Sequence, residues 1–254
     1  DIVERQKISA WATLDLAARN RETVLWNAYL KAKRQTERGA AGTPAAFVVP
    51  ADQHDPLTAV KMINKLLVQG IEIHQAKKDF TAEGRVYGAG SFVVSMAQPK
   101  MGVIRWLLGR TLYPDNSYTR DKDGAPIRPY DMSTDNMAEF MGVRVDPMEG
   151  AVKGDLVKVA EAIVPGGTVA KGAAGYRLDG RWNDSFRAVN LLLDKGVPVK
   201  RLDKTTDTAR AGDFLVPGGP DATIAEVART TGVDFTAARS DPGTAAPAVK
   251  RLRA

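Results

Sequence analysis

The chain holds two histidines, His54 and His74, with Asp52 and Glu72 close by in sequence. These are residue types that bind metal or move protons. Glu72 and His74 stand two apart, so on a strand they share one face. Zinc takes three or four ligands, yet no third donor is evident and neither His-x-x-Glu nor His-x-x-x-His occurs. The two histidines therefore read as capping or surface residues, and no metal ligand is assigned. Cysteine is absent, which removes disulfides, thiolate nucleophiles and cysteine-held metals. No serine combines a nucleophile-elbow setting with a histidine partner, which disfavours serine hydrolysis. Gly88-Ala89-Gly90 precedes an apolar run instead of following one, so it is no dinucleotide fingerprint. Asp131, Asp135 and Glu139 could supply paired carboxylates, although a polar segment rich in acids is ordinarily solvated. No catalytic residue is assigned.

What remains are loop residues suited to holding a small polar molecule or anion. In open parallel α/β sheets, ligands bind beyond the carboxyl ends of the strands, where helix N-termini offer free N–H groups. Four segments qualify: 52–55, 97–99, 179–184 and 217–220. Their candidate ligand-binding residues are Asp52, Gln53, His54, Gln98, Arg181, Trp182, Gly218 and Gly219. A ligand-binding module predicts one concave pocket lined by Asp52, Gln53, Gln98, Arg181 and Trp182. The Pro217-Gly218-Gly219-Pro220 turn would let backbone approach an anion, and glycine there is equally what a strand-to-helix turn requires.

The elements that must carry these loops are readable. Residues 46–49 form a short apolar run. Asp55-Pro56 opens a helix: the carboxylate caps free N–H groups and proline suits the first helical position. Val60, Ile63, Leu66 and Leu67 mark its apolar face, and Gly70 ends it. Residues 71–74 and 92–96 read as strands, 101–108 as a helix, and 136–141 as a short helix.

A second unit repeats that order. Residues 176–178 read as a strand, Asn183-Asp184 opens a helix with Phe186, Val189, Leu192 and Leu193 on its apolar face, Gly196 ends it, and 197–202 read as the next strand. His54-Asp55 aligns with Asn183-Asp184, Gly70-Ile71 with Gly196-Val197, and Ala89-Gly90-Ser91-Phe92 with Ala211-Gly212-Asp213-Phe214. Blocks in one order point to an internal duplication. The expected fold class is α/β: two similar strand–helix–strand units, flavodoxin-like or amidotransferase-like, with a mostly parallel sheet, preceded by a long N-terminal helix.

The expected organisation is a docking helix over 1–39, a first α/β unit over 40–150 with a polar excursion near 113–131, a second unit over 151–240, and a linker over 241–254 leading to a downstream domain. Residues 157–164 read as a strand and 221–230 as the last helix. In the N-terminal helix Ile8, Trp11, Leu14, Ala18, Val24, Leu25, Ala28 and Tyr29 keep helical spacing, and Gly39 ends it. Asp1 opens inside that amphipathic pattern, so more chain is expected upstream. With 44% hydrophobic and 26% charged residues the chain has the balance of a folded protein. No apolar run approaches the ~20 residues of a membrane span. The net charge of +6 permits an acidic partner, but the basic residues are scattered, so no nucleic-acid partner is expected.

Several segments also occur together in one order: Ala46-Phe47-Val48-Val49-Pro50-Ala51-Asp52-Gln53, Ala89-Gly90-Ser91-Phe92-Val93-Val94 with Met96-Ala97-Gln98-Pro99, Tyr113-Pro114-Asp115, and Arg128-Pro129-Tyr130-Asp131 with Met141-Gly142-Val143. This resembles the region that follows the catalytic domain in large bacterial carboxypeptidase A-like zinc peptidases. The helix bearing Arg19-Asn20-Arg21-Glu22-Thr23 and Leu25-Trp26-Asn27 resembles the segment leaving the peptidase domain there. The resemblance is densest over residues 1–145. In that family zinc is held by a His-x-x-Glu pair and a distant histidine, with a glutamate as general base. None of these positions has a match here, so no catalytic or metal residue transfers, and zinc is expected only in a peptidase domain outside this chain.

The resemblance implies an exported bacterial protein, secreted or periplasmic, of which this chain is a non-catalytic accessory region. It implies packing on the peptidase domain or binding of peptide or cell-envelope substrate. It also implies a downstream domain similar to class I glutamine amidotransferases, whose flavour Gly212-Asp213-Phe214-Leu215-Val216-Pro217-Gly218-Gly219 shares without a nucleophilic cysteine. The alternative is an independent small-molecule or anion-binding α/β module built on the four loops. A hydrolase without a recognisable motif is a third reading. The accessory reading predicts that Trp11 or Trp26 is exposed in this chain alone.

Overall fold

The computed structural model describes residues 1–110, 114–128, 136–239 and 246–250. The resemblance residues Tyr113, Pro129, Tyr130 and Asp131, the carboxylates Asp131 and Asp135, and most of the 241–254 linker lie outside the described residues.

The first unit contains β1 (Ala46–Val49), α3 (Pro56–Val68), β2 (His74–Ala76), a hairpin of β3 (Phe80–Ala82) and β4 (Arg85–Tyr87), β5 (Phe92–Ser95), α4 (Met101–Leu108), α5 (Met137–Met141), β6 (Asp146–Met148) and β7 (Leu156–Lys158). Two helices precede it, α1 (Ile2–Arg19) and α2 (Arg21–Ala41). Its sheet has the order β6-β1-β5-β2-β7 with every neighbouring pair antiparallel.

The mostly parallel sheet of flavodoxin-like or amidotransferase-like units expected from the sequence is therefore wrong. β1 and β2 do run in the same direction, as a strand–helix–strand unit requires, but β5 lies between them and opposes both. This is the split βαβ arrangement. The apolar runs that suggested a parallel sheet have another cause. A strand reads as continuously apolar when both its faces are covered. Here Phe47, Val49, Phe92 and Val94 face the core beneath α3 and α4. Ala46, Val48 and Val93 face the other way, against Phe80 and Tyr87 of the hairpin. The hairpin turns at Glu83-Gly84, both with positive φ (48° and 74°), as a two-residue type I′ loop needs.

The second unit contains β8 (Tyr176–Leu178), α6 (Asn183–Asp194), β9 (Lys200–Arg201), β10 (Phe214–Val216), α7 (Asp221–Thr231) and β11 (Thr236–Ala237). Its sheet order is β11-β8-β10-β9, again antiparallel throughout. Taking β1, β2, β5 and β6 as strands one to four, both units are βαββαβ with spatial order 4-1-3-2, the ferredoxin-like topology.

The match extends to individual hydrogen bonds. Gly90 (φ 91°) donates its N–H to Ala76 O at 2.8 Å, and Gly212 (φ 94°) donates to Leu202 O at 2.7 Å. The Ala51 N–H donates to Ser91 Oγ at 2.9 Å, and the Gly180 N–H donates to Asp213 Oδ1 at 3.0 Å. Val159 and Val249 each reach the outer edge of strand two, donating to Ile73 O and Val199 O at 2.9 and 2.8 Å. Matching left-handed glycines occupy the same bend in both units because an L side chain would strain it.

Helices α3 and α6 meet where the units join. Asp55 caps α3 by accepting the Thr58 N–H at 3.0 Å, and it also accepts the Asn183 N–H of α6 at 2.9 Å. Leu57 of α3 is buried in the core of the second unit.

Helices α1 and α2 form an arm interrupted only at Asn20. Gly39 does not end the arm as the sequence suggested: α2 runs on to Ala41, with Gly39 buried inside it. A Cβ at Gly39 would lie 1.8 Å from Met96 O, so glycine here permits the close approach of helix to strand end. Gln35 adds a hydrogen bond to the Gly102 N–H at 2.8 Å. Beyond these last turns the arm leaves the body, and α1 buries no residue.

Candidate functional site

The four strand-end loops do not converge. Residues 52–55 and 179–184 follow β1 and β8, whereas 97–99 and 217–220 follow β5 and β10, which run the opposite way. Antiparallel pairing sends the two sets to opposite ends of the sheets, and the single pocket expected of Asp52, Gln53, Gln98, Arg181 and Trp182 is not formed.

Most of these side chains are occupied by the fold. Gln98 is buried: its Oε1 accepts the Glu72 N–H at 2.8 Å, and its Nε2 donates to Glu72 O and Ser95 O at 3.1 and 2.7 Å. Gln53 donates to Pro50 O and Arg144 O, at 2.9 and 3.0 Å, and accepts the Arg144 N–H at 2.9 Å, pinning the chain that enters β6. Trp182 packs half-buried against the second core. A Cβ at Gly219 would meet Val197 Cγ1 at 3.0 Å, a packing constraint, while one at Gly218 would meet nothing. His54 is exposed.

The structure does bring Asp52 and Arg181 into one electrostatic neighbourhood at the join between the units. The Arg181 guanidinium is raised above its usual range by its hydrogen bond to Asp179, then by the charges of Asp179, Asp213 and Asp52. Burial pushes the Asp179 carboxyl up, but hydrogen bonds from Arg181 and the charges of Arg181 and Arg210 outweigh it and hold Asp179 below the ordinary carboxylate range. These are structural ion pairs, with Arg181 and Arg210 each 2.7 Å from Asp179.

His74 lies 3.7 Å from Glu72, whose carboxyl is lowered chiefly by its hydrogen bond from Lys158 at 2.5 Å. Among the described residues no group of three or more His, Cys, Asp or Glu is placed to hold a metal ion. Among them, too, no helix is long and apolar enough to cross a membrane.

Two other features stand out. One is a cavity of about 580 Å³ between α4, α5 and β6. Its wall exists because Asn136 stitches the two helices together: Nδ2 donates to Gly109 O at 2.8 Å, and Oδ1 caps α5 through the Glu139 N–H at 3.1 Å. Gly109 ends α4 where a Cβ would meet Arg105 O at 2.4 Å. Phe47, Leu108 and Val143 supply apolar lining, and Arg105, Arg110 and Arg144 stand at the rim. Nothing local in the sequence marks this set, because three separate segments build it.

The other feature is the arm. Ile8, Trp11, Leu14, Leu16, Leu25 and Trp26 are all exposed, Trp11 by 65% and Trp26 by 59%. Apart from Leu16, which lies off the stripe, this set was readable from its helical spacing, and among the described residues nothing covers it. Comparison with family models, with curated proteins and with solved structures returns no match for this chain.

Proposed function

We propose that this chain is a non-catalytic accessory region of an exported bacterial zinc metallocarboxypeptidase-like protein, and that α1 with the first half of α2 is the face it packs on the peptidase domain. The observation that carries this reading is the uncovered apolar stripe of the arm. Large apolar side chains left exposed in such number along one arm mark an interaction site. Helical stability in proteins comes mostly from packing an amphipathic face, and α1 buries no residue among the described ones. The parent activity and its export rest on the sequence resemblance. In the full-length protein, replacing Trp11 and Trp26 together by Asp should loosen this region from the peptidase domain and open a protease-sensitive site between them. Unchanged resistance to limited proteolysis would count against the reading.

A second reading, binding of a small molecule or anion, is favoured by the cavity beside α4 rather than by the four loops.

A further inference from the structure

We propose that the cavity between α4, α5 and β6 binds an amphiphilic organic anion: an apolar tail with a single carboxylate or phosphate head. The proposal stands apart from the accessory reading, which concerns the arm.

The volume, about 580 Å³, lies within the range of small-molecule sites. The lining divides by chemistry. Phe47, Leu108, Ala138 and Val143 present carbon and have no polar group to hold water in place. Asn136 is the buried polar side chain of the wall, and its hydrogen bonds are already used on Gly109 and Glu139. The floor therefore suits an alkyl or aryl group.

Among the described residues the rim carries a positive surplus. Arg110 lies 3.4 Å from Glu139, and Arg144 lies 2.7 Å from Asp146. Asp146 is further neutralised by Arg85 at 3.7 Å and accepts the Tyr87 hydroxyl at 3.0 Å. Those two acids are matched. Among the described residues the Arg105 guanidinium has no ion-pair or hydrogen-bond partner, although it lines this cavity. A smaller hollow of about 200 Å³ shares Pro44 and Arg105 with it and adds Arg38, a second guanidinium without a partner among the described residues. An anionic head at Arg105 with its tail over Phe47 and Val143 satisfies both halves of the lining. A cationic or neutral amphiphile satisfies one.

The test is calorimetric titration of the chain with octanoate and octyl phosphate, against acetate, inorganic phosphate and octyltrimethylammonium. Saturable binding of either octyl anion is expected, at least about tenfold tighter than the tail-free anions or the octyl cation. Whichever octyl anion binds more tightly names the head group. Arg105→Gln should weaken that anion by about tenfold, the scale of one charged hydrogen bond. Val145→Trp, which fills the cavity from a half-buried position, should abolish binding; the circular dichroism spectrum of each variant establishes that it is folded. Equal binding of the octyl cation, an Arg105→Gln affinity equal to the parent's, or no saturable binding at millimolar ligand would each overturn the proposal.

Discussion

Asp55 Oδ2 accepts the main-chain N–H of Asn183 at 2.9 Å, so the N-terminus of α3 in one unit is tied to the first turn of α6 in the other. The same carboxylate caps its own helix through Thr58. Its counterpart in the repeat, Asp184, reaches back across the join to Lys61 of α3 but makes no cap of its own helix. The duplicated aspartates have thus kept the contact between units, while only one keeps the capping role.

Asp55→Ala removes a helix cap and takes the acceptor from the part-buried main-chain N–H of Asn183 in the other unit. The expected cost is about 1–2 kcal/mol, chiefly that of a typical helix cap. A urea unfolding midpoint measures it, and a loss under about 0.5 kcal/mol would mean that the join contributes little.

Acid should weaken the fold through Asp146 and Asp179. Burial raises the Asp146 carboxyl, but hydrogen bonds from Arg144 and Tyr87, with the charges of Arg144 and Arg85, bring it below its ordinary value; Asp179 is lowered likewise. A carboxyl whose folded pKa is depressed contributes stability that is present above its unfolded pKa, about 3.9, and is lost as pH falls through the folded value. Unfolding free energy from these groups should therefore hold steady between about pH 7 and 5 and fall below about pH 4. Asp146→Asn should flatten that fall. An equally steep profile in the variant would assign the acid loss to other groups.

The outcome for the fold shows where sequence reading stops. The duplication was legible because its signals are local: Asp55 and Asp184 at helix starts, Gly70 and Gly196 at helix ends, Gly90 and Gly212 at one bend with φ near 90°. Strand direction was not, because the apolar runs of β1 and β5 report burial on both faces and say nothing of which strand lies between them. The Glu83-Gly84 hairpin had a readable signal, two short runs separated by two residues, and it supplies the second covering layer. Gln98 looked like a loop ligand; its amide is committed to Glu72 across the sheet end, a contact between residues 26 apart.

Gly39→Ala should destabilise the protein, against the usual rule. Alanine in a helix interior ordinarily gains about 1 kcal/mol over glycine. Here the new Cβ would lie 1.8 Å from Met96 O, so α2 must shift off the strand end. A net loss of about 1–3 kcal/mol is expected. Amide exchange at Gly102, whose N–H binds Gln35, should accelerate with it. A gain in thermal midpoint would refute the close-packing account.

Deleting residues 2–19 should leave the stability of the remaining chain within about 0.5 kcal/mol of the parent, because α1 buries no residue. Thermal unfolding of the truncated chain measures this, and a substantial loss would mean that the arm folds back on the body.

Hydrogen exchange at the α1 amides, in this chain alone and in the proposed parent protein, separates a docked arm from a free one. Rapid exchange over 2–19 is expected in the isolated chain, and strong protection where the proposed peptidase domain packs on the arm. Equal exchange in both would contradict that packing.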